Sequence, residues 1–172
     1  MTAGKLERLL PWACAVAAIV LFFSQLMTIF EFTPPGAEPL EERSVLDHHG
    51  PAIMVVAAFA LCALVVAVFA GSQPAAIAVA AMGILSLLVF LVIDLPDAGQ
   101  VGTLDDARQS FIDAEAVPQE GFWFELLGTL GLALSGGALA TMTPEQLASL
   151  RGRFFKRGTP KRKAPAAKRD TA

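Results

Sequence analysis

The chain has 172 residues, 55% of them apolar and only 17% charged, a composition far from that of soluble domains. Its formal net charge of −3 hides a strong segregation, because thirteen of its sixteen acids fall in two connections, residues 31–50 and 94–121, or at their borders. Each connection is too short to build a core of its own, which excludes an independent soluble domain. The chain contains no Asn and no Cys-x-x-Cys, which excludes N-linked glycans and a dithiol redox site.

Four apolar runs have about the length that a helix needs to cross a bilayer. They span residues 9–30, 52–70, 75–93 and 122–142. We therefore predict an all-α integral membrane protein in which residues 1–142 form a four-helix transmembrane bundle. The first run is too long for a signal peptide and lacks a small-residue cleavage site, so we expect it to be retained.

The basic residues predict how this bundle is oriented. Eleven of the thirteen Lys and Arg residues precede the first run or follow the last, and only Arg43 and Arg108 lie in the connections. The positive-inside rule then places both termini in the cytoplasm. The lack of Asn and Tyr, with heavy use of Ala, Val and Gly, suggests a GC-rich coding sequence, so we expect a bacterial plasma membrane.

Polar residues near the ends of the first two runs are candidates for a site. Gln25 lies in the outer half of the first run, where we expect it to bond a neighbouring helix and where a transport role is the alternative. His48 and His49 precede the second run, and a histidine pair is a weak candidate for a metal site. No third ligand is marked by spacing, so a polar helix entry is the favoured interpretation, with no metal and no cofactor.

Ionisable residues also border the third and fourth runs. Asp94 ends the third run and Glu125 opens the fourth, and acids at membrane depth are costly enough to be functional candidates. Arg108 is the basic residue of that connection. We favour a structural ion pair of Arg108 with one of these acids over a proton relay, because neither acid lies deep in its run.

Neither connection is predicted to form strands. The first contains three prolines and is expected to be an irregular loop. In the second, Thr103 can cap a short amphipathic helix of about residues 104–116, with Asp106 in capping-box register. We expect this helix to lie at the outer interface with its acidic face towards water.

Small residues recur along the fourth run at intervals of three and four, which is typical of closely packed membrane helices. The candidates for helix packing are Gly128, Gly131, Ser135 and Gly137. Packing within the bundle is the favoured interpretation, and a homodimer formed through this helix is the alternative.

Beyond the fourth run, residues 143–157 are predicted to form an interfacial helix, amphipathic over about 144–155, and residues 158–172 a disordered basic tail. We expect this part of the chain to contact anionic lipids of the inner leaflet rather than nucleic acid. The residues expected to make these contacts are Arg151, Arg153, Lys156, Arg157, Lys161, Arg162 and Lys163.

No nucleophile–base pair, phosphate-binding glycine loop or metalloprotease motif is present, so we predict that the protein is not an enzyme. The expected function is that of a multi-pass scaffold or accessory subunit that binds another membrane protein or further copies of itself. A small oligomeric transporter or channel using Gln25, Asp94 and Glu125 is the alternative. A lipid-modifying enzyme built around His48 and His49 is a third and weaker hypothesis.

Overall fold

The computed structural model describes residues 3–34, 41–106 and 109–155, leaving aside the side chains of residues 3–6, 41, 49, 101–106, 109–113 and 151–155. The helices and strands follow in chain order: α1 (Ala3–Ser24), β1 (Thr28–Thr33), β2 (Glu41–Ser44), α2 (Val45–His49), α3 (Ala52–Ala70), α4 (Gln73–Val89) continuing into a π-helical turn (Phe90–Asp94) and α5 (Leu95–Asp97), β3 (Val101–Asp106), β4 (Gln109–Pro118), α6 (Glu120–Ala140) and α7 (Pro144–Phe155).

Four helical segments are long and apolar enough to cross a membrane, as predicted from the apolar runs. They are Glu7–Ser24, Ala52–Ala70, Gln73–Asp97 and Glu120–Ala140. In the bundle, α6 packs against α1 and α4, and α3 closes the ring by packing against the same two helices. Most side chains that face away from the bundle are large and apolar, as expected for helices surrounded by lipid.

The first span ends earlier than predicted. A turn in which the Met27 N–H donates to the Ser24 carbonyl closes α1, and the chain then enters β1. The prediction that the helix continues to Phe30 was therefore wrong. The segment Thr28–Thr33 is rich in β-branched and aromatic residues, which favour a strand once a neighbouring strand is available.

Glycines allow the helices of the bundle to approach closely. A Cβ added to Gly83 would lie 2.5 Å from the Ala133 backbone nitrogen, and one added to Gly128 would lie 2.9 Å from the Leu21 Cα. A Cβ added to Gly136 would lie 3.1 Å from the Ala80 Cα, a tight but less severe contact. Side-chain bulk at Gly83 and Gly128 is excluded, so at these positions α6 contacts α4 and α1 backbone against backbone.

Both connections contribute to one antiparallel four-stranded sheet, of order β2-β1-β4-β3. The predicted helix at about residues 104–116 is corrected: this segment forms β3 and β4, and Thr103, its expected cap, is paired with Asp113. The first connection, expected to be irregular, supplies β1 and β2. The physical reason is pairing between the connections, in which β1 offers β4 a partner over Phe30–Thr33.

The other end of the bundle is covered by α7. Thr143 and Gln146 form the reciprocal cap that starts this helix, with each backbone N–H donating to the other's side-chain oxygen. Leu147 and Leu150 are buried in the bundle core, and Ala148 lies against Gly71 at the end of α3. The region 158–172, predicted to be a disordered tail, lies outside the described residues. We call the two ends of the bundle the sheet end and the α7 end.

Candidate functional site

Buried polar side chains gather at the sheet end, where α1 passes into the sheet. Ser24 and Gln25 are both fully buried. The Ser24 hydroxyl donates to the Leu21 carbonyl, and the Gln25 amide donates to Leu21 and to Ser24. The Gln25 Oε1 has no hydrogen-bond partner within the described part of the chain.

The short helix α2 fixes this polar end to the second connection. Its first two N–H groups, of Val45 and Leu46, donate to the carbonyls of Met27 and Gln25. Ser44 caps the helix by a capping box with Asp47. These bonds hold His48, four residues from the cap, over the end of α4.

His48 lies between two carboxylates of the α4–α5 segment. Its Nε2 is 3.7 Å from Asp94 Oδ1 and 3.5 Å from Asp97 Oδ2. Asp94 is fully buried, whereas the side chain of Asp97 is 43% exposed. When the imidazole is protonated, it therefore forms an ion pair with a carboxylate of the bundle interior as well as with one at the surface.

The backbone around Asp94 departs from a regular α-helix for a local reason. Pro96 has no N–H to donate to a preceding carbonyl, and its ring crowds the turn before it. The helix widens into a π-helical turn, closed by a bond from the Leu95 N–H to the Phe90 carbonyl. Such turns are frequent at functional sites, and this one ends on the buried Asp94.

Glu125 is also fully buried. Gly121 lies against Thr28 and Gly128 against Leu21, so Glu125, halfway between the two glycines, is level with the end of α1. At 1.5 Å per residue, it lies roughly 8 Å from the start of α6 at Glu120. The two predicted acids are thus at the same end of the bundle as Gln25.

An aromatic cluster beside these polar groups joins the bundle to the sheet. The Phe122 ring lies 4.8 Å from the Phe90 ring and 6.0 Å from the Phe30 ring, and Phe30 also contacts His48 edge to face. Phe30, Phe90 and Phe122 are all buried, and the sheet packs on them through Ala116. Sheet and bundle therefore share one continuous apolar junction.

Towards the α7 end, the core loses its charged groups. The buried side chains there are apolar, apart from Ser135, whose hydroxyl donates to the Gly131 carbonyl of its own helix. They include Cys14, Ala17, Leu132, Leu139, Met142, Leu147 and Leu150. Among the described residues, the buried ionisable carboxylates, Asp94 and Glu125, are confined to the sheet end.

The predicted packing residues differ in their surroundings. Gly128 touches Leu21, a Cβ on Gly131 would lie 3.1 Å from the Ala17 Cβ, and Ser135 is buried. Nothing lies within 4 Å of a Cβ placed on Gly137. Of this pair, it is Gly136 that contacts α4, and sequence reasoning did not single it out.

Some predicted positions cannot be placed. Arg108 lies outside the described residues, so its pairing with Asp94 or Glu125 stays a prediction. The same holds for Lys156, Arg157, Lys161, Arg162 and Lys163. Arg151 and Arg153 belong to α7, and His49 ends α2.

Sequence reasoning missed the contact between His48 and the α4–α5 segment. The residues are almost fifty positions apart, and no spacing signals the contact. Within the part of the chain that the structure describes, no group of three or more His, Cys, Asp or Glu residues could hold a metal ion. The arrangement can accept and release protons at one end of the bundle, and it can hold the sheet in place.

Comparison with known proteins assigns no role to these residues: no family model matches the chain, and neither a curated protein nor a solved structure does.

Proposed function

We propose that the chain is a non-enzymatic scaffold or accessory subunit of a membrane complex, and that the sheet end is the surface that meets its partner. The observation that carries this proposal is the union of both connections in one sheet that shares a core with the bundle. Two separate flexible loops would lose conformational entropy on binding. A sheet packed on Phe30, Phe90 and Phe122 is ordered before a partner arrives.

The charge of this surface indicates the kind of partner. The two connections and their borders carry thirteen acids and two basic residues. Glu42, Asp47, Glu115 and Glu120 are exposed among the described residues. Opposite potentials favour the approach of one partner over others, so we propose a membrane protein with a basic surface outside the bilayer.

The distribution of buried polar groups favours this function over transport. A solute or proton that crosses the bundle needs polar groups or water along its whole path. The buried carboxylates stay at the sheet end, and Gly83 and Gly136 bring helix backbones into direct contact further in. In this proposal the bundle supports the sheet, and the contact of His48 with Asp94 joins the sheet to α4.

The orientation belongs to the same proposal: both termini face the cytoplasm of a bacterial cell, where α7 and the basic tail contact anionic lipids. We expect a cysteine at Glu115 to react with a membrane-impermeant maleimide in intact cells, in a background carrying Cys14→Ala and Cys62→Ala. A cysteine at Glu145, equally exposed on α7, should react only after permeabilisation. Labelling of the Glu145 position in intact cells would contradict the proposed orientation.

Affinity purification in mild detergent tests the function itself. The variant Glu42→Lys/Glu115→Lys reverses two exposed charges on the sheet, and Glu145→Lys reverses one at the opposite end. We expect the sheet variant to reduce recovery of the co-purifying membrane protein at least about tenfold, because like charges at an interface cost several kcal/mol. Glu145→Lys should leave recovery unchanged, and both variants should keep the wild-type melting temperature.

The transport alternative predicts a different result. Under that alternative, the wild-type protein purifies without a partner and moves protons or a solute when reconstituted in liposomes, and Glu125→Gln abolishes the movement. That combination would overturn the accessory function. The two fully buried carboxylates, Asp94 and Glu125, are the observation that keeps this alternative worth testing.

A further inference from the structure

An apolar cleft of about 310 Å³ opens between α1 and α3 near the α7 end. Pro11, Trp12 and Ala15 line it from α1, and Leu64, Val65, Val68 and Phe69 line it from α3. Pro11 and Ala15 lie about one turn apart and are small, which leaves room between the bulkier Trp12 and Phe69. All seven residues belong to segments long and apolar enough to span a membrane.

The cleft by itself would not choose one lipid from another. Lipid tails are as apolar as leucine, so moving an acyl chain from the bilayer into the cleft brings no hydrophobic gain. Selection requires a polar group at the mouth of the cleft that recognises the headgroup.

The helical register of α1 supplies such a group. Arg8 is exposed and stands four residues before Trp12, so it lies one turn nearer the helix start on the same face. Trp12 is 60% exposed, as is typical of tryptophans at the membrane–water interface, where headgroups lie. A phosphate near Arg8 would therefore place an attached acyl chain along Trp12 and Ala15.

We propose that this cleft binds one acyl chain of an anionic phospholipid and that Arg8 binds the lipid phosphate. A second copy of the chain fits the site less well. A symmetric contact through this face would bring Arg8 of both copies together, and like charges that meet at an interface oppose association.

The test measures lipid retention by the purified full-length protein in detergent, by native mass spectrometry. The probes are phosphatidylglycerol and phosphatidylcholine with identical acyl chains. Wild-type protein should prefer phosphatidylglycerol by at least about fivefold, the factor expected for each basic residue next to an anionic lipid. Arg8→Gln should lower that preference by about the same factor, and Arg43→Gln, in β2, should not.

Two substitutions on α3 test the cleft. Val65 lines it and is 55% exposed, and its neighbour Val66 is 49% exposed and is not part of the lining. Both tolerate bulk, so neither change should unfold the protein. Val65→Trp fills the cleft and should reduce retention of both lipids, whereas Val66→Trp should leave retention unchanged.

Three outcomes would overturn the proposal. Equal retention of the two lipids by wild-type protein would show that Arg8 does not select the headgroup. Unchanged retention in Val65→Trp would show that the lipid does not bind in the cleft. A change from dimer to monomer in Val65→Trp, with lipid retention unaffected, would assign the cleft to a second copy.

Discussion

Replacing Gly83 by alanine should destabilise the bundle more than the same change at Gly136 or Gly137. The new Cβ would lie 2.5 Å from the backbone nitrogen of Ala133 and 2.7 Å from its Cα, so α4 and α6 would have to separate. Overpacking of a well-packed core costs about 1–3 kcal/mol, and here the clash is with backbone rather than with a movable side chain. We expect a loss at the upper end of that range, which corresponds to a fall in melting temperature of about 10 °C.

The adjacent pair Gly136 and Gly137 provides the control on α6. A Cβ on Gly136 would lie 3.1 Å from the backbone of Ala80, and a Cβ on Gly137 would meet nothing within 4 Å. Gly136→Ala should lower the melting temperature by less than Gly83→Ala does. Gly137→Ala should leave it unchanged or raise it slightly, because alanine has the higher helix propensity. Thermal unfolding in detergent, followed by circular dichroism, measures all three, and equal melting temperatures would contradict the observed packing.

The contrast between Gly136 and Gly137 illustrates what the sequence leaves open. Spacing at three and four residues shows that α6 carries small residues on more than one side. It does not set which side faces the neighbouring helices, because apolar residues also face the lipid. Gly128 was predicted to pack and does touch Leu21, whereas Gly136, which lies against Ala80 of α4, was not singled out.

The four apolar helices were predictable because length and hydropathy are local properties of each segment. The sheet was not, since its central pairing joins β1 to β4, more than eighty residues later in the chain. Within β4, buried Ala114 and Ala116 alternate with exposed Glu115 and Val117, which is a strand pattern. The apolar positions also fit a helical period, and the capping residues of that segment favoured the wrong choice.

Of the candidate site, the sequence identified the polar residues but not their arrangement. Gln25, Asp94 and Glu125 were marked because polar groups near a membrane span are costly. That all three lie at the sheet end follows from the topology, because α1 and α4 end there and α6 begins there. The contact of His48 with Asp94 depends on the bonds that tie α2 to the end of α1, which no sequence spacing indicates.

Replacing His48 by alanine should loosen the junction between sheet and bundle. The change removes the imidazole that lies 3.7 Å from Oδ1 of the fully buried Asp94, and it removes an edge contact from Phe30. Loss of a partner at a buried polar group costs about 1–3 kcal/mol, so we expect a fall in melting temperature of about 5 °C. Thermal unfolding in detergent, followed by circular dichroism, measures this fall.

Asp97→Ala is the matched control, because it removes the other carboxylate near His48 without touching the buried one. The side chain of Asp97 is 43% exposed, and exposed ion pairs contribute about 0–1 kcal/mol. We expect its effect to be less than half that of His48→Ala. If the two variants have the same melting temperature, the buried contact contributes no more to stability than a surface ion pair. In that case the apolar contacts of Phe122 with Phe30 and Phe90, which neither substitution removes, are the side-chain contacts that hold the sheet on the bundle.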